Sequence, residues 1–124
     1  MFLKYRYFRK DKAKVLGKLR RLLEGEEEAL LAIVFGSFVD LESFRDIDLA
    51  IYSRNESLNY LARLGARLEL ELEIPIDVVP LKDLEPRFRW KILRKGIIIV
   101  EKKSGLYEAL LNITLDELEN LAIS

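Results

Sequence analysis

Apolar positions in this chain switch between helical spacing and short continuous runs, which predicts helices alternating with strands. The helical pattern covers residues 11–23, 58–68, 86–95 and 105–122. The strand-like runs cover residues 29–35, 46–52, 74–80 and 97–100. Between them, residues 38–45 form a spacer with room for a short helical turn, and residues 70–73 fit either type. This order favours an α/β fold in which a small mixed β-sheet is flanked by helices.

Residues at the ends of the predicted elements support these boundaries. Ser57 suits the N-cap of the second helix, Pro86 suits the first turn of the third, and Gly96 suits its end. Thr114-Leu-Asp-Glu117 has the pattern of a capping box, so we expect a separate last helical segment to start there.

The composition is that of a globular chain, with half of its 124 residues apolar, and we expect a single domain over residues 1–124. Cysteine and histidine are absent, which excludes disulfides, thiol or histidine catalysis and the usual zinc sites. Any general base must therefore be a carboxylate, a lysine or a tyrosine. Abundant Lys, Arg and Glu without Gln are typical of a protein from a thermophile.

No pattern in the chain indicates a membrane or export segment. There is no run of about 18 apolar residues. The first ten residues lack the apolar block and the cleavage site of a signal peptide. We therefore expect a cytoplasmic protein with no membrane partner.

Charge is balanced overall but unevenly distributed. Residues 1–23 carry nine Lys and Arg and one Asp, a net charge of +8, so residues 24–124 carry −8 in this neutral chain. A basic segment can dock on nucleic acid or on an acidic protein. We prefer to interpret this segment as a solvated helix face, so nucleic acid is not an expected partner. Assembly into a homo-oligomer stays an open alternative.

A second basic feature lies on the predicted helix 86–95. Its members recur at helical spacing and are Arg87, Lys91, Arg94 and Lys95. A solvated outer face is again the preferred interpretation, and contact with nucleotide phosphates or with a partner is the alternative. Trp90 of the same helix is expected to pack in the core or in an interface.

The strand 29–35 leads into the most informative chemistry of the chain. Gly36 allows the backbone to approach an anionic ligand closely, and Ser37 offers a hydroxyl and an amide. Asp46 and Asp48 begin the next predicted strand, where alternation places both side chains on one face. Two carboxylates on one face repel unless a cation lies between them, and oxygen ligands suit Mg²⁺ or Mn²⁺.

A third acid, Asp77, lies in the short strand 74–80. A lone Asp in such an apolar strand is costly to bury without a partner. If this strand lies beside the strand of Asp46 and Asp48, the three carboxylates converge. Three acids can hold two divalent ions about 3.5–4 Å apart, which is the geometry for in-line displacement at phosphorus.

Phe35-Gly36-Ser37, a spacer and then Asp46-Ile47-Asp48-Leu49 together resemble the motif of the polymerase-β-type nucleotidyltransferases. The small size and the segment 92–101 are similar to the minimal nucleotidyltransferase (MNT) branch, with its MntA-like antitoxins. The resemblance covers about residues 12–102 and implies a nucleotidyltransferase fold like the palm of polymerase β.

The same resemblance implies a function and a role for each candidate residue. Asp46 and Asp48 would hold Mg²⁺ and the nucleoside triphosphate, and Asp77 would complete the metal site and activate the attacking hydroxyl. Gly36 and Ser37 would lie at the phosphates. The implied reaction transfers AMP from ATP to a hydroxyl, and the implied partner is a helical HEPN-type toxin for which this chain is the antitoxin.

The chain also departs from the family pattern. Family members often have Gly-Ser-x-Ala-Arg-Gly, whereas residues 36–41 here are Gly-Ser-Phe-Val-Asp-Leu, and the spacer 38–45 is shorter than usual. The alternative is therefore a catalytically degenerate binding module that neutralises or regulates a partner protein by contact alone.

Overall fold

The computed structural model describes residues 11–55 and 57–123, and it confirms an α/β fold with a small mixed sheet. The helices in this part of the chain are α1 (Lys12–Glu24), α2 (Ser37–Asp40), α3 (Leu58–Leu72), α4 (Pro86–Lys95) and α5 (Leu106–Ile123). The strands are β1 (Ala29–Phe35), β2 (Ile47–Ser53), β3 (Ile76–Pro80) and β4 (Ile97–Glu101). A short 3₁₀ turn, Leu81–Asp83, joins β3 to the loop before α4.

Side-chain caps fix the helix starts close to where the sequence predicts them. The carboxylate of Asp11 accepts hydrogen bonds from the first turn of α1, and the hydroxyl of Ser57 does the same for α3. Helix α3 continues through the ambiguous residues 70–72 and ends where Glu73 adopts a left-handed conformation. The strand predicted from residue 46 begins one residue later, and the strand predicted from residue 74 begins at Ile76.

The predicted break at Thr114 is wrong. Helix α5 runs through it from Leu106 to Ile123, and Thr114 is fully buried. Its hydroxyl accepts a hydrogen bond from the Arg89 side chain at 2.8 Å instead of capping a new helix. A tertiary contact has therefore replaced the local capping interaction that the sequence pattern suggests.

The sheet order is β3-β2-β1-β4, so β1, the first strand of the described residues, lies in the interior. β1 pairs antiparallel with both β2 and β4, while β2 and β3 pair in parallel. A parallel pair requires a crossover, and α3 supplies it. Strand β3 is thereby placed beside β2, which confirms the strand adjacency on which the convergence of the acids depends.

Helices cover both faces of the sheet. α1 and α3 pack on one face around the side chains of Val34, Leu49 and Ile51. α4 and α5 pack on the other face around Leu31 and Ile33. The second face also carries Asp48 and Asp77, because they lie two residues before Ala50 and Val79 along their strands and therefore point to the same face as these two residues.

Two sequence features outside the sheet have simple structural outcomes. Of the basic segment 1–23, residues 1–10 lie outside the described residues, and residues 12–23 form most of α1. The half-buried Trp90 has the Arg94 guanidinium over its ring at 5.3 Å. Across residues 11–55 and 57–123, no helix is both long and apolar enough to cross a bilayer.

Candidate active site

Two of the three predicted acids are direct neighbours in the sheet. Asp48 lies opposite Asp77 in the parallel pair and opposite Phe35 in the antiparallel pair. Side chains of register partners point to the same face, so Asp77, Asp48 and Phe35 form one row across three strands. Asp46 comes just before β2, and its charge acts on Asp48. The structure therefore brings all three carboxylates to one region.

The two acids of this row lie on the part of the face that α4 and α5 leave open. Their core covers β1 and the middle of β2, whereas Asp48 is half-buried and Asp77, on the edge strand β3, is exposed. The prediction that Asp77 would be buried at a cost is therefore wrong, because water reaches its carboxylate. Desolvation falls on Asp48 instead, which has neighbouring strands on both sides.

Gly36 holds its strained backbone directly against the Asp48 carboxylate. Its φ of 78° and ψ of −150° belong to a region that is essentially restricted to glycine. A Cβ atom at this position would lie 2.4 Å from Oδ2 of Asp48. The chain can turn from β1 into α2 beside the acids only because residue 36 has no side chain.

The pKa of Asp48 is raised by its burial and by the neighbouring carboxylates. Burial, followed by the charges of Asp46 and Asp77, raises the pKa of Asp48 from 3.8 to about 6. Each cause disfavours the ionised carboxylate, and a bound cation would oppose all of them.

The donor set fits a divalent cation that is also bound by its substrate. Within residues 11–55 and 57–123, no group of three or more His, Cys, Asp or Glu side chains is placed to hold a metal ion. Mg²⁺, however, is usually held by one or two carboxylates together with substrate phosphates rather than by an all-protein cage. The neighbouring carboxylates of Asp46, Asp48 and Asp77 match that kind of incomplete shell in ligand type and in charge.

A pocket of about 180 Å³ adjoins the acid row at Gly36. Its walls come from the end of β1, from α2 and from α4. The lining residues are Phe35, Gly36, Val39, Asp40, Phe88, Lys91, Ile92 and Lys95. Phe88 packs edge-on against Phe35, with ring centroids 5.7 Å apart, so α4 continues the row that starts at Asp77.

The interpretation of α4's basic stripe as a solvated outer face is incomplete. Lys91 and Lys95 are exposed, yet they line the pocket at Gly36. The sequence signal for this pair was its spacing of one helical turn. Lys95 also lies directly before Gly96, where the helix ends. What the sequence lacked was the packing of α4's last turn against the end of β1.

Sequence reasoning also missed Arg89, the buried cation on α4. Arg89 is 4% exposed and donates hydrogen bonds to Thr114 and to the carbonyl oxygens of Lys82 and Leu84, and it forms an ion pair with Glu117 at 2.6 Å. These contacts tie α4 to α5 and to the loop after β3. Arg89 therefore fixes the helix that carries Lys91 and Lys95.

A protein-family model described as Polymerase beta, Nucleotidyltransferase matches residues 17–105. The chain belongs to this nucleotidyltransferase family. The matched region includes Gly36, Ser37 and all three acids, so the resemblance of the motif at residues 35–49 to this family is confirmed. No curated protein matches the sequence significantly.

Solved structures with a similar fold include MNT antitoxins. A chain from the complex of the tri-AMPylated Shewanella oneidensis HEPN toxin with MNT antitoxin aligns with a TM-score of 0.71 and 18% identity, covering 90% of this chain and 89% of that one. A chain of the MntA-HepT toxin–antitoxin gives a TM-score of 0.70 at 18% identity, covering 88% of each chain.

A third similar structure, a toxin–antitoxin with AMP-PNP, gives a TM-score of 0.73 at 20% identity, covering 86% of this chain and 88% of that one. At these identities the comparisons show the nucleotidyltransferase fold.

Proposed function

We propose that this nucleotidyltransferase transfers AMP from ATP to a hydroxyl group of a HEPN-type partner protein and acts as the antitoxin of that partner. The observation that carries the proposal is the carboxylate row at Asp48 and Asp77, beside Gly36, on the open part of the sheet. The similar structures with a tri-AMPylated HEPN toxin and with AMP-PNP support the choice of acceptor and nucleotide.

Asp46 and Asp48 would hold the divalent cation, and Asp77 would complete the site from the neighbouring strand. A bound Mg²⁺ or Mn²⁺ would offset the charge of the phosphates and polarise the reacting phosphorus–oxygen bonds. Gly36 and Ser37 would lie against the phosphates, where the first N–H groups of α2 have no partner inside that helix.

In the proposed transfer, the acceptor oxygen forms a bond to the α-phosphorus of ATP. The bond from that phosphorus to the oxygen shared with the β-phosphate breaks, and pyrophosphate leaves with the electron pair. The acceptor's proton moves to a carboxylate oxygen of Asp77. Asp77 suits this role better than Asp48 because it is exposed on an edge strand, where a large acceptor can approach.

We further propose that residues 1–124 form a single minimal nucleotidyltransferase domain whose acceptor is brought by the partner chain. Most of the described residues belong to one sheet and its covering helices, which supports a single domain over this part of the chain.

A labelling experiment tests this function. The purified chain, the HEPN-type protein encoded next to it, Mg²⁺ and ATP labelled at the α-phosphate should yield covalent label on the partner. Asp46→Asn should abolish the label, and Asp77→Asn should slow labelling by about 10²- to 10⁴-fold while ATP still binds. Asp116→Asn, an exposed acid on α5, is the matched control and should label normally. A folded, partner-bound wild-type chain that never transfers label would contradict the proposal.

One observation favours neutralisation by contact as a second candidate. No three acids in the described ranges are close enough to hold a metal without help from a substrate. Under this alternative, Asp46→Asn would neutralise the partner as fully as the wild type, and neither chain would transfer label.

A further inference from the structure

We infer that Lys91 and Lys95 of α4 bind the β- and γ-phosphates of the nucleoside triphosphate, in the pocket that they line together with Gly36. The inference rests on the proposed function and adds to it the residues that hold the leaving pyrophosphate. It comes from one arrangement, in which Gly36 is shared between the Asp48 carboxylate and the pocket lined by both lysines.

The position of Gly36 sets the direction of the bound nucleotide. Asp48 lies so close to Gly36 that a Cβ on residue 36 would meet its Oδ2 at 2.4 Å. Gly36 also lines the 180 Å³ pocket, together with Lys91 and Lys95. A triphosphate whose α-phosphate lies at the acids can extend across a residue without a side chain and reach the lysines.

The two lysines have no anionic partner in this part of the fold. Within the described ranges, neither side chain takes part in a hydrogen bond, an ion pair or a ring contact. Two like charges one helical turn apart repel each other. A polyphosphate between them would offset that repulsion and accept charge-assisted hydrogen bonds from both ammonium groups.

Helix geometry alone does not account for this pair. The negative end of the α4 dipole favours cations in the last turn, which explains Arg94 and Lys95. Lys91 lies one turn earlier, and Arg94, although closer to the helix end, stacks on Trp90 instead of lining the pocket. What Lys91 and Lys95 share is the pocket that they line together with Gly36.

The neighbouring helix α2 contributes no cationic side chain to the pocket. Its lining residues are the apolar Val39 and the exposed Asp40, whose carboxylate repels phosphate. The cations for the phosphate tail must therefore come from another element, and α4 is the only other helix that lines this pocket among the residues described. The apolar side chains of Val39 and Ile92 in the pocket suit the methylene stems of the lysines.

Calorimetry on the full chain tests the inference. Binding of Mg-ATP, AMP and inorganic tripolyphosphate would be measured for the wild type and for Lys91→Gln with Lys95→Gln. The matched control is Lys14→Gln with Lys103→Gln, which removes two exposed lysines from other elements and leaves the net charge equal to that of the test variant. Circular dichroism checks that each variant is folded.

The lysine variant should bind Mg-ATP and tripolyphosphate about 10- to 100-fold more weakly, because each lost bond is to a charged group. Its affinity for AMP should not change, and the control variant should match the wild type for every ligand.

Unchanged Mg-ATP affinity in the lysine variant, together with lost affinity in Asp46→Asn, would overturn this inference and leave the proposed function in place. An equal loss for AMP and ATP would also overturn it, because the lysines would then contact the AMP part of the nucleotide and not the β- and γ-phosphates. If the control variant lost as much affinity for Mg-ATP as the test variant, the loss would be due to net charge, and the inference would be overturned. A wild-type chain that binds none of the three probes would overturn the inference and the proposed function together.

Discussion

Gly36 is the residue at which backbone geometry and site chemistry meet. Gly36→Ala should destabilise the fold by about 1–3 kcal/mol, because alanine must adopt a conformation that is essentially restricted to glycine. The new methyl group would also press on the Asp48 carboxylate, so Mg-ATP binding should be lost. Chemical denaturation and calorimetry measure the two effects.

Gly17→Ala is the matched control for that variant. Gly17 lies inside α1, and a Cβ there would meet only Nη1 of Arg21, at 3.7 Å. Alanine should therefore stabilise the chain by about 0.5–1 kcal/mol. If Gly36→Ala were as stable as the wild type, residue 36 would not require a backbone conformation restricted to glycine.

Asp48 should make the metal-free chain less stable as pH rises. Its pKa is raised on folding from 3.8 to about 6, so the folded state resists ionisation. The destabilisation is small below pH 3.8, grows between pH 3.8 and 6, and is complete above pH 6. Solvent screening of this half-exposed carboxylate reduces the effect to about 1 kcal/mol.

Asp48→Asn should remove that penalty. In a chelating buffer, the variant should gain about 1 kcal/mol over the wild type at pH 7.5 and much less at pH 4. Asp116→Asn, which changes an exposed acid far from the row, should show no such difference between the two pH values. Equal gains for Asp48→Asn at both pH values would show that ionisation of Asp48 is not the cause.

At the scale of elements, the position of α4 depends on Arg89. Arg89→Met should destabilise the chain by about 2–4 kcal/mol, because it leaves several polar groups of α5 and of the loop after β3 without their donor. Arg87→Met is the control on the same helix. Its side chain is 75% exposed and lies 3.7 Å from Glu85, so the change should stay within about 0.5 kcal/mol. Denaturant titration compares the two, and equal stabilities would show that Arg89 does not hold α4.

At the scale of the whole molecule, cation and nucleotide should stabilise the folded chain together. A ligand that binds only the folded state at about 100 times its Kd adds about 2.7 kcal/mol. Mg-ATP at such a concentration should therefore raise the Tm of the wild type, whereas Asp46→Asn with Asp48→Asn should show no rise. A rise of equal size in that double variant would place the nucleotide elsewhere.

Local patterns predicted most of the secondary structure. The run 29–35 became β1 without change, and Ser57, Pro86 and Gly96 each fall at the helix boundaries predicted for them. The predicted helix start at Thr114 was wrong because its hydroxyl accepts a hydrogen bond from Arg89, a residue far away in the chain. A local signal cannot register a buried partner of this kind.

The sequence by itself determined the fold class and the strand that ends just before Gly36, because each depends on neighbouring residues and their periodicity. Tertiary structure decided what depends on packing between distant segments. The α3 crossover placed Asp77 beside Asp48, and the packing of α4 against the end of β1 placed Lys91 and Lys95 in one pocket with Gly36. The same packing left Asp77 exposed and Asp48 half-buried, so the shifted pKa belongs to the acid between two strands and not to the acid at the edge.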